Sequence, residues 1–182
     1  RYESLAGTAH AGDLLTDFAG DAVEPDALVG AEVVRPDEAD TERHLEAVWD
    51  LLADAEGVRG VTPVVSPGYV DRFRELLDNG LAADLVLPTD VVSGLRAEHA
   101  TALAEVAERA RLAETDEPVP FGVVVTAGAH PRMALELRDG PLITGLVTND
   151  TPDAIRWAEA FVERFLAEAT LIEPGSREDG GR

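Results

Sequence analysis

Apolar positions along this chain recur at two periods, and the switches between them mark out the elements. Between Gly20 and Pro36, Val23, Leu28, Val29, Val33 and Val34 are broken up by Pro25, Gly30 and Pro36, so only Ala31 to Arg35 is predicted as a short strand. Leu45, Val48, Trp49, Leu52 and Ala55 then fall on one helical stripe, with Thr41 placed to cap its start and Gly57 to end it. Val58 to Val65 is a valine-rich run closed by Ser66-Pro67-Gly68, the pattern of a strand buried on both faces. Tyr69, Phe73, Leu76 and Leu77 predict a helix closed by Asn79-Gly80, and Asp84 to Leu87 a strand stopped by Pro88. That strand-helix-strand unit calls for a parallel pair with a right-handed crossover. A short helix capped by Thr89 or Asp90, a second from Glu98 to Ala110, and a brief strand from Arg111 to Glu114 follow.

The last third of the chain carries the firmest pattern. Phe121 to Val125, Met133 to Leu137 and Leu142 to Val147 predict a meander, its last two strands joined at Asp139-Gly140 by a type I′ turn. Asn149, Asp150 or Thr151 can cap the helix that Pro152 opens, and Ile155, Ala158, Val162 and Phe165 or Leu166 recur at the spacing of one buried face. The whole is predicted as an α/β fold, a mixed sheet with helices on its faces, in which strand-helix-strand units precede a C-terminal meander and long helix. Residues 1–27 are expected to be a connector containing a short helix from Ala9 to Phe18, residues 28–173 the domain, and residues 174–182, which lack apolar side chains beyond Pro174, a disordered tail.

Composition narrows the chemistry. All 15 basic residues are arginine, set against 36 acids for a net charge of −21. Without lysine there is no Walker phosphate loop, no Schiff base, and no histidine–lysine pair of the phospholipase D type. The acid excess repels a phosphate backbone, so this chain by itself is not expected to bind DNA or RNA. With 45% apolar residues and long periodic segments, the charge reads as the solubility device of an extreme halophile rather than as disorder. Acidic groupings such as Glu3 with Asp13, or Glu114 with Asp116 and Glu117, then read as solvated faces. Zero cysteine removes disulfides, thiolate nucleophiles and cysteine zinc sites and suits a reducing cytoplasm. No apolar run approaches the roughly 18 residues of a membrane span, and no signal-peptide pattern is present. The chain opens at Arg1, and its only methionine is Met133, so further sequence is expected upstream.

No motif announces catalysis. His10, His44, His99 and His130 have no partner at metal-ligand spacing, and Ser66 and Ser93 lie outside any Gly-x-Ser-x-Gly elbow. No catalytic residue, metal site or cofactor is assigned. Candidate ligand-binding positions come from topology instead. Strand ends around Pro63 to Ser66, Leu87 to Thr89 and Thr148 to Asp150 would gather at one end of a parallel sheet, where ligands collect. That picks out Pro63, Ser66, Thr89, Thr148, Asn149 and Asp150, with Phe121 opening the meander. Trp157 joins them as a ring off the Ile155/Val162 direction and so at the border of a cavity or partner surface.

In order along the chain, Gly30-Ala31-Glu32-Val33-Val34, Ala55-Glu56-Gly57-Val58-Arg59-Gly60 running into Val61-Thr62-Pro63-Val64, Leu77-Asp78-Asn79-Gly80, Phe121-Gly122-Val123-Val124-Val125, Gly145-Leu146-Val147 and Ala154-Ile155-Arg156-Trp157-Ala158-Glu159 resemble the middle, or effector, domain of the archaeal winged-helix regulators named for the methanogenesis regulatory protein. The resemblance covers about Leu28 to Ile172. It implies a DNA-binding winged helix upstream, of which Arg1 to Gly7 would be the tail, and a regulatory role with no catalytic residues to carry over. The leading expectation is therefore a domain that senses a small-molecule effector, forms a homodimer, or both, and biases DNA binding through a module outside this chain. A purely structural dimerisation domain and a small hydrolase built from distant histidine and carboxylate groups are the alternatives. No membrane partner is expected.

Overall fold

The computed structural model describes residues 23–35, 43–65, 67–139 and 142–174. After a single 3-10 turn (Pro25–Leu28) come β1 (Glu32–Val34), α1 (Arg43–Ala53), β2 (Gly57–Val61), α2 (Pro67–Asp78), β3 (Ala82–Pro88), α3 (Thr89–Glu98), α4 (Ala100–Ala107), β4 (Arg111–Thr115), β5 (Val123–Ala127), β6 (Met133–Asp139), β7 (Leu142–Asn149), α5 (Pro152–Glu168) and β8 (Thr170–Leu171). The strands form one sheet of eight in the order β1-β7-β6-β5-β2-β3-β4-β8. β2, β3 and β4 run parallel; every other neighbouring pair is antiparallel. The mixed sheet, the parallel β2–β3 pair and the meander are as the pattern predicts. The connector helix, the Thr41 cap, the Asp139-Gly140 turn and the C-terminal tail lie outside the described residues.

Alternation along each strand divides the core in two. Val61, Val86, Ala113, Val123, Leu135 and Val147 point to the face covered by the 3-10 turn and α5. Val58, Leu87, Leu112, Ala134 and Leu146 point to the opposite face, under α1 to α4. This is a three-layer arrangement, in which the inner strands are covered on both faces, and it explains the continuous valine run of β5.

Local chemistry sets most boundaries. At the end of α2, Gly80 adopts φ +98° while its N–H donates to Leu77 O and that of Leu81 to Leu76 O, the paired bonds that close a helix through a left-handed residue. At the start of α5, Thr151 is the cap: its Oγ1 accepts from Ala154 N–H at 3.3 Å, with Pro152 in the first turn. Other boundaries depart from the pattern. Gly57 opens β2 rather than ending α1, which stops at Ala53. β2 stops at Val61, before Pro63, a residue that has no N–H for a ladder. Neither Thr89 nor Asp90 caps α3; Pro88 occupies the cap position without a side-chain bond. Glu98 ends α3 rather than opening the next helix, and α4 runs from Ala100 to Ala107, short of Ala110, with His99 between the two.

The buried arc of α5 comprises Ala154, Trp157, Ala158, Phe161, Val162, Phe165 and Leu166. It is turned toward Trp157 relative to the stripe drawn through Ile155, which is only half-buried. Trp157 packs on Phe161 with ring centroids 5.5 Å apart and keeps 8% of its surface, so it belongs to the core under α5 and not to a border.

Candidate functional site

The helices α1 to α4 do not close completely over their face of the sheet. Between them lies a cavity of about 120 Å³. Its floor comes from Val58, Leu85, Leu87, Leu112, Val124 and Glu136 on the strands, and its walls from Val48, Trp49 and Leu52 of α1, Tyr69, Val70 and Phe73 of α2, Leu95 of α3, and Leu103 and Val106 of α4. Thr62, Val64 and Val65, in the loop leaving β2, and His99, between α3 and α4, complete it. Val64, Val65, Leu95 and His99 also line a second hollow of about 240 Å³, bounded further by Val91, Gly94 and Glu98. The two hollows thus share one wall, and Val64, which is exposed, stands where they meet.

Sequence features shape the floor and walls of this cavity. β2 carries Gly60 on this face, and a Cβ there would lie 2.8 Å from Val124 Cγ1 and 3.3 Å from Leu85 Cδ2. Glycine leaves room only for its neighbours to close in below. Above, the break at His99 turns α4 away from the line of α3; the His99 N–H donates to Leu95 O at 2.7 Å, and its carbonyl accepts from Leu103 N–H at 3.0 Å. Trp49 and Tyr69 meet at 5.1 Å between centroids, forming an aromatic corner, and the Arg72 guanidinium covers the indole at 5.0 Å.

Polar groups in this lining are few. Thr62 donates to Val64 O at 2.9 Å, which folds the β2–α2 loop over the cavity. Glu136 sits on β6 between Gly122, whose carbonyl accepts from its N–H at 2.9 Å, and Leu146 on β7. A Cβ at position 122 would lie 2.5 Å from Glu136 Oε2, so Gly122 is the space into which the carboxyl group fits. Among the described residues, no arginine lines the cavity.

Of the eight positions drawn from the sequence, the seven that are described do not come together. Pro63 lies in the β2–α2 loop between cavity-lining Thr62 and Val64, and Ser66 is outside the described residues. Thr89 lines a separate polar hollow of about 290 Å³ with Glu114, Thr115, Asp116, Glu117, Glu168 and Thr170. There Glu114 pairs with Arg96 at 3.2 Å and Glu117 with Arg164 at 3.3 Å. Phe121, stacked on Phe161 at 5.3 Å, and Trp157 belong to the core on the α5 face. Thr148, Asn149 and Asp150 are at the other end of the sheet, because β7 runs antiparallel to β6 and its last residues pair with the first of β6, Asn149 with Met133. The gathering of strand ends assumed a parallel sheet; the meander reverses β7.

Asn149 has a different occupation. Its Nδ2 donates to Ala27 O at 2.9 Å and Val29 O at 3.0 Å, and its Oδ1 accepts from Thr151 N–H at 3.0 Å. It ties the 3-10 turn to the start of α5. Among the described residues, no group of histidine and carboxylate side chains is placed to hold a metal ion, and no helix is long and apolar enough to cross a membrane.

The cavity residues Trp49, Tyr69, His99 and Glu136 were not among the sequence candidates. Trp49 and Tyr69 read as core by their spacing. Glu136 did leave a signal: a charged residue inside Met133-Ala134-Leu135-Glu136-Leu137, a strand whose other members are apolar on both faces.

The family model described as the middle domain of the methanogenesis regulatory protein FilR1 matches residues 41–168. No curated protein matches the chain. Among solved structures, the chain is similar to TrmBL2, described as an archaeal chromatin protein with a novel mode of DNA binding, with a TM-score of 0.60 and 13% identity over 94% of this chain and 64% of that one. It is also similar to Nuc from Salmonella typhimurium, a phospholipase D family member, with a TM-score of 0.58 and 14% identity over 79% of this chain and 97% of that one. At such identities the likeness is one of fold.

Proposed function

The chain belongs to the family of FilR1-type middle domains, and from that membership we propose that it is the ligand-sensing part of a transcriptional regulator, in which occupancy of the cavity under α1 to α4 biases an attached DNA-binding module. One observation carries the reading: the cavity is roofed by four helices and a loop rather than filled by side chains. Interiors pack to nearly crystalline density, so a ring-sized void framed by aromatic and aliphatic side chains is the ordinary form of a small-molecule site. A ligand that binds one arrangement of the α1–α4 layer better than another shifts the population between them, which is all that a regulator requires. The net charge of −21 favours DNA contact through a module outside this chain.

Neither alternative has comparable support. A homodimer formed by adding strands would use the sheet edges, yet β1 and β8 are three and two residues long, too short to template extended pairing. The phospholipase D likeness does not extend to chemistry, because a chain with no lysine cannot supply that enzyme type's histidine–lysine motif.

Toluene, an apolar probe of the right size, tests the reading. Saturating toluene is expected to raise the melting temperature of the chain, and Leu103→Trp, which fills the cavity from α4, to abolish the rise while the folded spectrum is kept. Equal shifts in both proteins, or none in either, would refute it.

A further inference from the structure

Building on the ligand-sensing reading, we infer that the cavity and the hollow beside it hold one uncharged, elongated ligand: an apolar ring under α1 to α4, a carbonyl group at His99, and a short chain running out past Gly94. Size sets the ring. A cavity of about 120 Å³ is slightly smaller than an engineered void of about 150 Å³ that accepts benzene, so the inner space takes a single ring or its aliphatic equivalent. The outer hollow adds about 240 Å³ across the wall made by Val64, Val65, Leu95 and His99. Together the two spaces reach the lower end of the roughly 300–1,000 Å³ of small-molecule sites. Gly94 keeps the outer one open. Glycine inside a helix is destabilising relative to alanine, yet it stands in the middle of α3 where a Cβ would meet nothing within 4 Å. Packing does not require it there; its effect is to leave the α3 side of the hollow bare.

The polar groups of the lining decide the rest. Thr62 donates its hydroxyl proton to Val64 O, and Tyr69 and Glu136 are each already engaged in an interaction within the protein. An anion would meet like charge, from Glu136 in the inner space and Glu98 at the outer one. A cation would leave water for an apolar interior whose carboxylate is already engaged, and would face the N–H of His99. Either ion loses its hydration without a free opposite charge to replace it. His99 offers a neutral ligand something specific. Half-buried at the break between α3 and α4, it lines both spaces. An imidazole carries an N–H donor whether protonated or not, so a carbonyl oxygen placed where the two hollows meet can accept from it in either state.

The test is calorimetric titration of the chain with four probes: toluene, N-benzylbutanamide, N-benzylbutylamine, which is a cation at neutral pH, and monobenzyl succinate, an anion. Titrations run in 1 M KCl, where a Debye length of about 3 Å suppresses general attraction of cations to an acidic protein. The amide is expected to bind at least about tenfold more tightly than either charged analogue, which must give up its hydration. Gly94→Leu fills the outer hollow from a position where a Cβ has free space. It should weaken the amide at least about tenfold, because the propyl chain loses its burial, and leave toluene unchanged. His99→Leu should weaken the amide by about threefold to tenfold, the worth of one hydrogen bond, again without effect on toluene, and His99→Gln, which keeps an N–H donor, should restore most of the loss. A charged analogue that matches the amide overturns the uncharged assignment. Toluene binding without amide binding, an amide insensitive to either substitution, or a loss that His99→Gln does not restore overturns the placement across the two hollows. In each of these cases toluene binding leaves the ligand-sensing reading standing; if no probe binds, both fail.

Discussion

Replacing Phe165 by alanine removes the central ring of the α5 core and is expected to cost about 3–5 kcal/mol of unfolding free energy. The side chain is fully buried, at 0% exposure. Its ring stands 5.3 Å from that of Phe161 and 4.6 Å from the Arg164 guanidinium carbon, so the substitution also breaks an aromatic pair and a cation–π contact. These add roughly 0.5–1.5 and 0.5–1 kcal/mol to the transfer term, which puts the expectation in the upper half of the range. A domain holds only about 5–15 kcal/mol in all, and each kilocalorie moves the melting point of a chain this size by about 2–4 °C. Guanidinium denaturation at fixed ionic strength measures the effect as a fall in midpoint with an unchanged slope. Trp157→Ala is the companion, and since Trp157 packs in the same core its loss should be of comparable size. Neither substitution should alter ligand binding, because α5 and the cavity lie on opposite faces of the sheet. A loss below about 1.5 kcal/mol for Phe165→Ala, outside the range for a buried ring, would mean that α5 does not close this core. Altered ligand response in Trp157→Ala with little loss of stability would restore that residue to the functional surface.

Three further outcomes are expected. Asn149→Asp keeps the shape but forfeits the donor to the Ala27 and Val29 carbonyls, so chemical denaturation should show a loss of about 1–3 kcal/mol with ligand affinity unchanged; a neutral result would remove the clasp between the 3-10 turn and α5. With −21 charges to screen, the melting temperature should rise between low and molar KCl, as the Debye length falls from about 30 Å at 0.01 M to about 3 Å at 1 M, and a flat or falling curve contradicts the repulsion argument. The chain by itself should not bind duplex DNA at moderate salt; salt-sensitive micromolar binding in fluorescence anisotropy would show a phosphate-binding surface that the net charge conceals.

Much of the fold was legible in the residues because its signals are local. Gly80 past Leu76-Leu77, Pro152 after Thr151, and the run of valines in β5 each depend on a few neighbours, and the elements they predict are present. The lack of lysine and the excess of acid likewise belong to the composition, which by itself removes whole chemistries. Tertiary structure decided the site. Period-2 and period-3.6 patterns say which side chains are buried and nothing about whether the buried layer is filled, so Trp49 and Tyr69 read as core although they frame a void. Strand direction is also non-local. Reversal of β7 carries Thr148 and Asn149 to the far end of the sheet, and the turn of α5 brings Trp157 under its own helix. Glu136 shows the division within one residue: its charge in an apolar strand was visible along the chain, but its pairing with the space above Gly122, and with a cavity walled by four distant helices, exists only when β5, β6 and the α1–α4 layer are assembled.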